Sequence, residues 1–197
     1  EGLQEFEGLG WINGEHITYK IPKGVTILSL KYRETGYNSE FAGDFKSDDE
    51  FLNSLWQKSL RTLYVTMRDN YMDCPDRERA EWWGDVNIQM QMALYSMDEN
   101  AAALYEAGVN GLVSWFEATG TMLTVVPSGS TQFELPFQNL AGIDGFWTYY
   151  AYTGKRGFIE MVYPMARDYV LQYEIGDNQL VQHRTGSWDW PDWGRHA

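Results

Sequence analysis

From Ser47 to about residue 174, apolar side chains return at helical spacing, and this pattern restricts the chain to a fold of packed helices. Ser47 followed by Glu50 reads as a capping box. Phe51, Leu52, Leu55, Trp56 and Leu60 then form the first helical stripe. A second run is expected over about 81–97, with Ile88, Met92 and Tyr95 on one face. A third covers about 99–117, carrying Leu104, Val109, Leu112 and Trp115, and a fourth about 137–153. A fifth spans about 155–174, where Phe158, Val162, Met165, Tyr169 and Tyr173 make the stripe. Pro164 lies inside that run and should kink or split it. Thr121–Val126 reads as extended, Pro127-Ser-Gly-Ser-Thr as a loop, and Val181–Gly194 as non-helical. Amphipathic helices joined by short loops bury their stripes by pairing side by side. No fixed sequence period marks a solenoid. A toroid of helix pairs fits, of which this chain would be an incomplete part.

The first 45 residues differ. Asn13-Gly14 is a turn signal. His16–Ile21 and Val25–Tyr32 are rich in β-formers and flank Pro22-Lys-Gly24, so they read as a hairpin. Residues 1–45 are expected to be the end of a β-sandwich-like domain and a linker, with 46–197 a separate helical part. Both ends of the chain look like cuts inside a longer polypeptide.

Charge narrows the partners. The chain carries 28 acids against 15 bases, a formal net charge of −13. Nucleic-acid binding needs clustered Lys and Arg, and an anionic membrane surface would repel such a chain, so neither partner is expected. No apolar run reaches the length of a membrane span. Cys74 is the single cysteine, which excludes an intrachain disulfide and fits a cytosolic or bacterial periplasmic protein. His16, His183 and His196 are scattered, and no spacing matches a zinc or calcium site, so neither metal nor cofactor is expected.

The chemistry concentrates in Asp73-Cys-Pro-Asp-Arg-Glu-Arg-Ala-Glu-Trp-Trp-Gly-Asp85, which holds five carboxylates, two arginines and two adjacent tryptophans. Carboxyl groups move protons and bind hydroxyls, and indoles stack on the apolar face of a sugar ring. Glu78 has Asp73, Asp76, Glu81 and Asp85 close by in sequence, which suits a general acid that must hold its proton. Trp82 and Trp83 would exclude water. A helix starting near Glu78 would place Glu78, Trp82 and Asp85 on one face. Arg77 and Arg79 would pair with acids or touch sugar hydroxyls, and an arginine on Glu78 would weaken its use as an acid. The plainer alternative is a solvated helix start, where acids suit the macrodipole. It accounts for Asp76 and Glu81 but not for Trp-Trp-Gly-Asp.

Two other clusters share this character. Asp144-Gly-Phe-Trp147 lies on the fourth run, where Gly145 is costly in a helix and implies a packing or access reason. Ser187-Trp-Asp-Trp-Pro-Asp-Trp-Gly194 holds three tryptophans and two aspartates, with Trp188 and Asp192 the candidates for sugar contact. It reads either as a substrate loop or as an aromatic plug over the core. Glu134 is a further candidate carboxylate in a weaker context.

The segment 73–85 resembles the signature of bacterial α-L-rhamnosidases of glycoside hydrolase family 78. Leu63-Tyr-Val-Thr-Met-Arg-Asp-Asn-Tyr71, Gly145-Phe-Trp-Thr-Tyr-Tyr-Ala-Tyr-Thr-Gly154 and the Trp-Asp-Trp-Pro-Asp-Trp-Gly loop are similar to that family's stretches, so the likeness covers about residues 40–194. It implies a mainly α fold, an incomplete (α/α)6 six-hairpin toroid preceded by a short β segment. It also implies inverting hydrolysis of terminal α-L-rhamnose from glycans or glycosides. Glu78 would be the general acid, Asp73 and Asp85 would bind rhamnose hydroxyls or tune Glu78, Trp82 and Trp147 would shape the pocket, and Asp144 would add a hydrogen bond. The family's base is a glutamate expected beyond Ala197, so the rest of the same polypeptide would pack here and the piece would be inactive alone. Glu81 stands where the family usually has glycine and would add negative charge near the pocket. Alternatives are a non-catalytic carbohydrate-binding protein on the same scaffold, a glycosidase for another sugar, or a lyase or phosphorylase. Like-charge repulsion disfavours a uronate substrate.

Overall fold

A computed structural model describes residues 2–14, 16–128 and 134–182. Its described residues hold five helices: α1 Glu50–Val65, α2 Trp83–Ser96, α3 Glu99–Thr119, α4 Pro136–Thr153 and α5 Arg156–Val170. The chain divides into two compact units, Glu1–Thr35 and Gly36–Ala197.

In the first unit the turn at Pro22-Lys-Gly24 forms, with Val25 N–H donating to Pro22 O at 3.3 Å. No ladder joins the segments on either side of it. Ile17, Tyr19, Ile21, Val25, Ile27 and Leu30 are all exposed. A two-stranded hairpin is marginal without a sheet or helix to cover it, which accounts for the missing strands.

In the second unit each helix has a local reason to start or stop. α1 is capped by Asp49, whose carboxylate accepts Phe51 N–H at 2.8 Å. Ser47, the expected cap, is instead tied to Asn53 through Ser47 N–H to Oδ1 at 2.8 Å and Nδ2 to Ser47 O at 2.9 Å. Asp98 caps α3 by accepting Asn100 N–H at 3.1 Å, and Gly120 ends it at φ 73°. Pro136 opens α4, where a missing N–H costs nothing. α5 runs unbroken through Pro164, which sits on its exposed side, so the Glu160 carbonyl it leaves unpaired can reach water.

The face of α2 differs from expectation. Its buried side is Trp83, Val86, Asn87, Met90 and Ala93, and Ile88, Met92 and Tyr95 form a second, exposed stripe. α2 packs on α4 and α3, and α5 packs on α3 and α4. The core between them is aromatic: Trp83 meets Phe146 edge-on at 6.4 Å, and Tyr149 lies 4.9 Å from Tyr105 and 4.7 Å from Phe158. Two glycines let α2 and α4 approach closely. A Cβ on Gly142 would stand 2.9 Å from Cβ of Trp83, and one on Gly145 would stand 3.0 Å from Oδ1 of Asn87. The packing reason expected for Gly145 is therefore Asn87. No described helix is long and apolar enough to cross a membrane.

Candidate active site

The motif is a closed loop followed by a helix start. Asp73 N–H donates to Ala80 O and Ala80 N–H donates to Asp73 Oδ1, both at 2.9 Å, so residues 73 and 80 clasp the loop at its base. Upstream, Met72 N–H donates to Thr66 O at 2.9 Å, and Gln89 of α2 donates to Met72 O at 2.6 Å. Downstream, Trp82 pairs in an isolated bridge with Val125, and Trp83 N–H reaches Thr124 O at 3.3 Å. The extended segment expected at Thr121–Val126 is thus the strip on which the motif rests. Asn139 holds that strip to α4 by donating to Met122 O at 2.7 Å.

Glu78 lies in the closed loop and not on α2, because the helix starts at Trp83. The shared helical face expected for Glu78, Trp82 and Asp85 therefore does not form. Inside the loop, the Cys74 thiol donates to Glu78 Oε2 at 3.1 Å, and Glu78 N–H points at Cys74 Sγ at 3.3 Å. Arg77 pairs with Glu78 Oε1. Oxygens of Asp73 and Glu78 and the Cys74 sulfur lie within 4.8 Å of one another. Arg77, then Asp73 and Cys74, pull the Glu78 carboxyl down to about 2. Burial, reinforced by the hydrogen bond with Glu78, raises Asp73. The two neighbouring carboxyls are thus pushed in opposite directions, Asp73 up and Glu78 down. Arg79 has φ 53°, an unusual value for a side chain of its size, and donates through Nε to Pro75 O at 3.2 Å. Strained backbone of this kind gathers at functional loops. Asp73, Cys74 and Glu78 are the described residues that could converge on a cation, but Arg77 and Ala80 N–H already occupy two of those carboxylate oxygens.

The two tryptophans separate. Trp83 is fully buried in the core, and Trp82 is half-buried beside the loop. Glu81 is 2 % exposed and turns inward against Gly108 of α3. Burial, with Asp69 adding to it, pushes its carboxyl up to about 8. The expected extra charge near the pocket is thus a buried and largely protonated group.

Asp85 stands in the first turn of α2. Gln138 of α4 donates to its Oδ2 at 3.3 Å and accepts Gly84 N–H at 2.6 Å. Asn87 of α2 donates to Ala141 O at 2.8 Å and approaches Asp144 Oδ2 at 3.5 Å. Asp85 and Asp144 therefore both lie along the α2–α4 seam. Trp147 is 62 % exposed and lines a groove of about 340 Å³ with Ile143, Phe146, Ile159 and Tyr163, to which no residue of 73–85 contributes. Trp188 and Asp192 lie outside the described residues. Burial, then hydrogen bonds with Tyr173 and Glu134, raises the Tyr169 hydroxyl, which gives Glu134 a partner on α5. Gln138 and Asn87 escape a sequence reading because their partners are more than 50 residues away, and the only local signals are Gly84 and Gly145 opposite them.

A family model described as the bacterial α-L-rhamnosidase six-hairpin glycosidase domain matches residues 40–197. The chain belongs to this family. Its closed acidic loop and glycine-sealed helix pair are thus features of a rhamnosidase-type six-hairpin domain. An α-L-rhamnosidase from Formosa agariphila is 26% identical over 177 aligned residues, covering 79% of this chain. The chain spans 17% of that relative's length. No solved structure matches the chain at a significant level.

Proposed function

We propose that the full-length protein is an inverting glycoside hydrolase that releases terminal α-L-rhamnose from glycans or glycosides. The observation that carries this reading is the Asp73–Glu78 carboxyl pair inside the clasped loop of a family member. Glu78 is the proton donor and Asp73 is the neighbouring carboxyl that tunes it. Arg77 is 84% exposed along its side chain, so it can leave Glu78 for a sugar hydroxyl when substrate arrives. That exchange removes the charge that most favours ionised Glu78, so Glu78 can take up a proton and pass it to the leaving-group oxygen. Asp85 and Asp144 bind ring hydroxyls from the α2–α4 seam, and Trp82 stacks on the sugar. Trp147, Trp188 and Asp192 are further candidates for sugar contact. A base from the rest of the polypeptide activates water on the opposite face, at the roughly 6.5–9.5 Å carboxyl separation that inversion requires. Residues 1–45 comprise the end of a preceding β-sandwich-like domain and a linker. The remainder of the polypeptide covers exposed apolar surface of this unit.

The test is Glu78→Gln in the full-length enzyme, assayed on aryl α-L-rhamnosides of graded leaving-group pKa. Loss of a general acid lowers the rate by about 10²–10⁴-fold on poor leaving groups and much less on activated ones. A uniform small effect across the series rejects Glu78 as the donor. The Arg77–Glu78 pair also favours a second reading, a carbohydrate-binding protein without turnover. That reading predicts rhamnose binding by calorimetry with no hydrolysis in the wild type.

A further inference from the structure

We propose that Gln138 is a positioning residue that caps α2 from the neighbouring helix and sets the direction of the Asp85 carboxylate. This rests on the reading of Asp85 as a sugar ligand. The first N–H groups of a helix lack partners within it, and a capping side chain normally bonds to the N–H of the second or third residue. Trp82 sits at the cap position of α2 and has no side chain able to accept that bond. Gln138, in the first turn of α4, supplies the acceptor: its Oε1 takes the N–H of Gly84, the second residue of α2, at 2.6 Å.

That bond fixes the amide's orientation. With Oε1 turned to an N–H, Nε2 is turned to a carboxylate, and it donates to Asp85 Oδ2 at 3.3 Å. The flipped amide would set donor against donor and oxygen against carboxylate, so one orientation satisfies both ends. Gly84 makes the arrangement sterically open, since a Cβ there would overlap Gln138 Oε1. The glycine before Asp85 is therefore the space into which a side chain from another helix docks. One amide thereby couples the start of α2 to the aim of its neighbouring carboxylate.

Two roles of Gln138 can be separated by one substitution. Gln138→Glu keeps an acceptor for Gly84 N–H, and a carboxylate suits a helix N-terminus, so the cap persists. It removes the donor to Asp85 and sets a like charge beside it, which raises the Asp85 pKa. In the full-length enzyme, Gln138→Glu should leave the thermal midpoint close to wild type. It should raise KM for an aryl α-L-rhamnoside about tenfold, a difference of roughly 1.4 kcal/mol. It should also move the acid limb of kcat/KM to higher pH. Gln138→Ala loses both bonds and should lower the midpoint as well. In an Asp85→Asn background, Gln138→Glu should add no further loss. A wild-type KM and pH profile for Gln138→Glu, beside a crippled Asp85→Asn, overturns the positioning role alone. Normal turnover by Asp85→Asn overturns the sugar-ligand reading beneath it, and with it this proposal.

Discussion

Glu81 Oε1 fills the space where Gly108 of α3 lacks a side chain: a Cβ on Gly108 would overlap that oxygen. The carboxyl is 2 % exposed, and Oε1 has no hydrogen-bond partner among the described residues. The acid before the double tryptophan is thus a packing element between the motif and α3, matched to one glycine.

Gly108→Ala should destabilise the domain by about 1–3 kcal/mol, the usual cost of overpacking a filled site. Glu81→Ala in the same chain should recover much of that loss, since it empties the space the new methyl needs. Thermal midpoints of the two single variants and the double variant check this. Strict additivity would show that the two residues do not share the space.

Glu81 should also make stability fall with rising pH. Its folded value of about 8 exceeds its unfolded value of 4.5, so the folded state holds a proton that the unfolded chain releases. The penalty is absent below about pH 4.5, grows through the window up to about 8, and is constant above it. Its full size is on the order of several kcal/mol, because each tenfold difference in proton affinity between the two states is worth about 1.4 kcal/mol. Glu81→Gln should flatten this part of the stability profile and be the more stable protein at pH 8.5. Denaturant unfolding at pH 5 and pH 8.5 measures it, and equal slopes for both proteins would rule the effect out.

Arg77→Ala should move the basic limb of the kcat/KM profile, which reports the free enzyme, upward. A general acid works while protonated, so activity is lost as pH rises through its pKa. Arg77 is the largest cause holding Glu78 at about 2, and removing it raises that value. A basic limb that stays fixed, or falls, would separate Glu78 from the proton-donor role.

Asp73→Asn and Asp73→Ala should differ in kind. Asparagine keeps an oxygen for Ala80 N–H, so the loop stays closed, but it cannot ionise and so cannot tune Glu78. Its expected signature is an unchanged thermal midpoint with kcat lowered about 100-fold or more. Alanine loses the side-chain half of the clasp as well, costing about 1 kcal/mol of stability for that hydrogen bond. Equal kcat for Asp73→Asn and wild type would leave Asp73 a purely structural residue.

The helices are legible in the sequence because apolar spacing is a local property. Phe158, Val162, Met165 and Tyr169 read as one stripe and are all buried. Ile88, Met92 and Tyr95 are equally well spaced, yet they face outward. α2 has two apolar faces, and spacing cannot choose which one α4 covers. Glycines opposite Trp83 and Asn87 make that choice from far along the chain. The motif's chemistry is legible as composition, but its geometry is not. Glu78 leaves the helix because Asp73 and Ala80 close the chain between them before α2 begins. Glu81 reads as surface charge because nothing nearby in sequence announces Gly108.

The Asp73–Ala80 clasp makes residues 74–79 a cassette with fixed ends. Whatever occupies it enters and leaves through the same pair of backbone positions, so the register of α2 does not depend on its contents. Exchanging Asp76 while Cys74, Arg77 and Glu78 are kept should leave Asp85 and the helix behind it in their places. For engineering, the exposed positions of this short insert can be varied without rebuilding the scaffold that holds it.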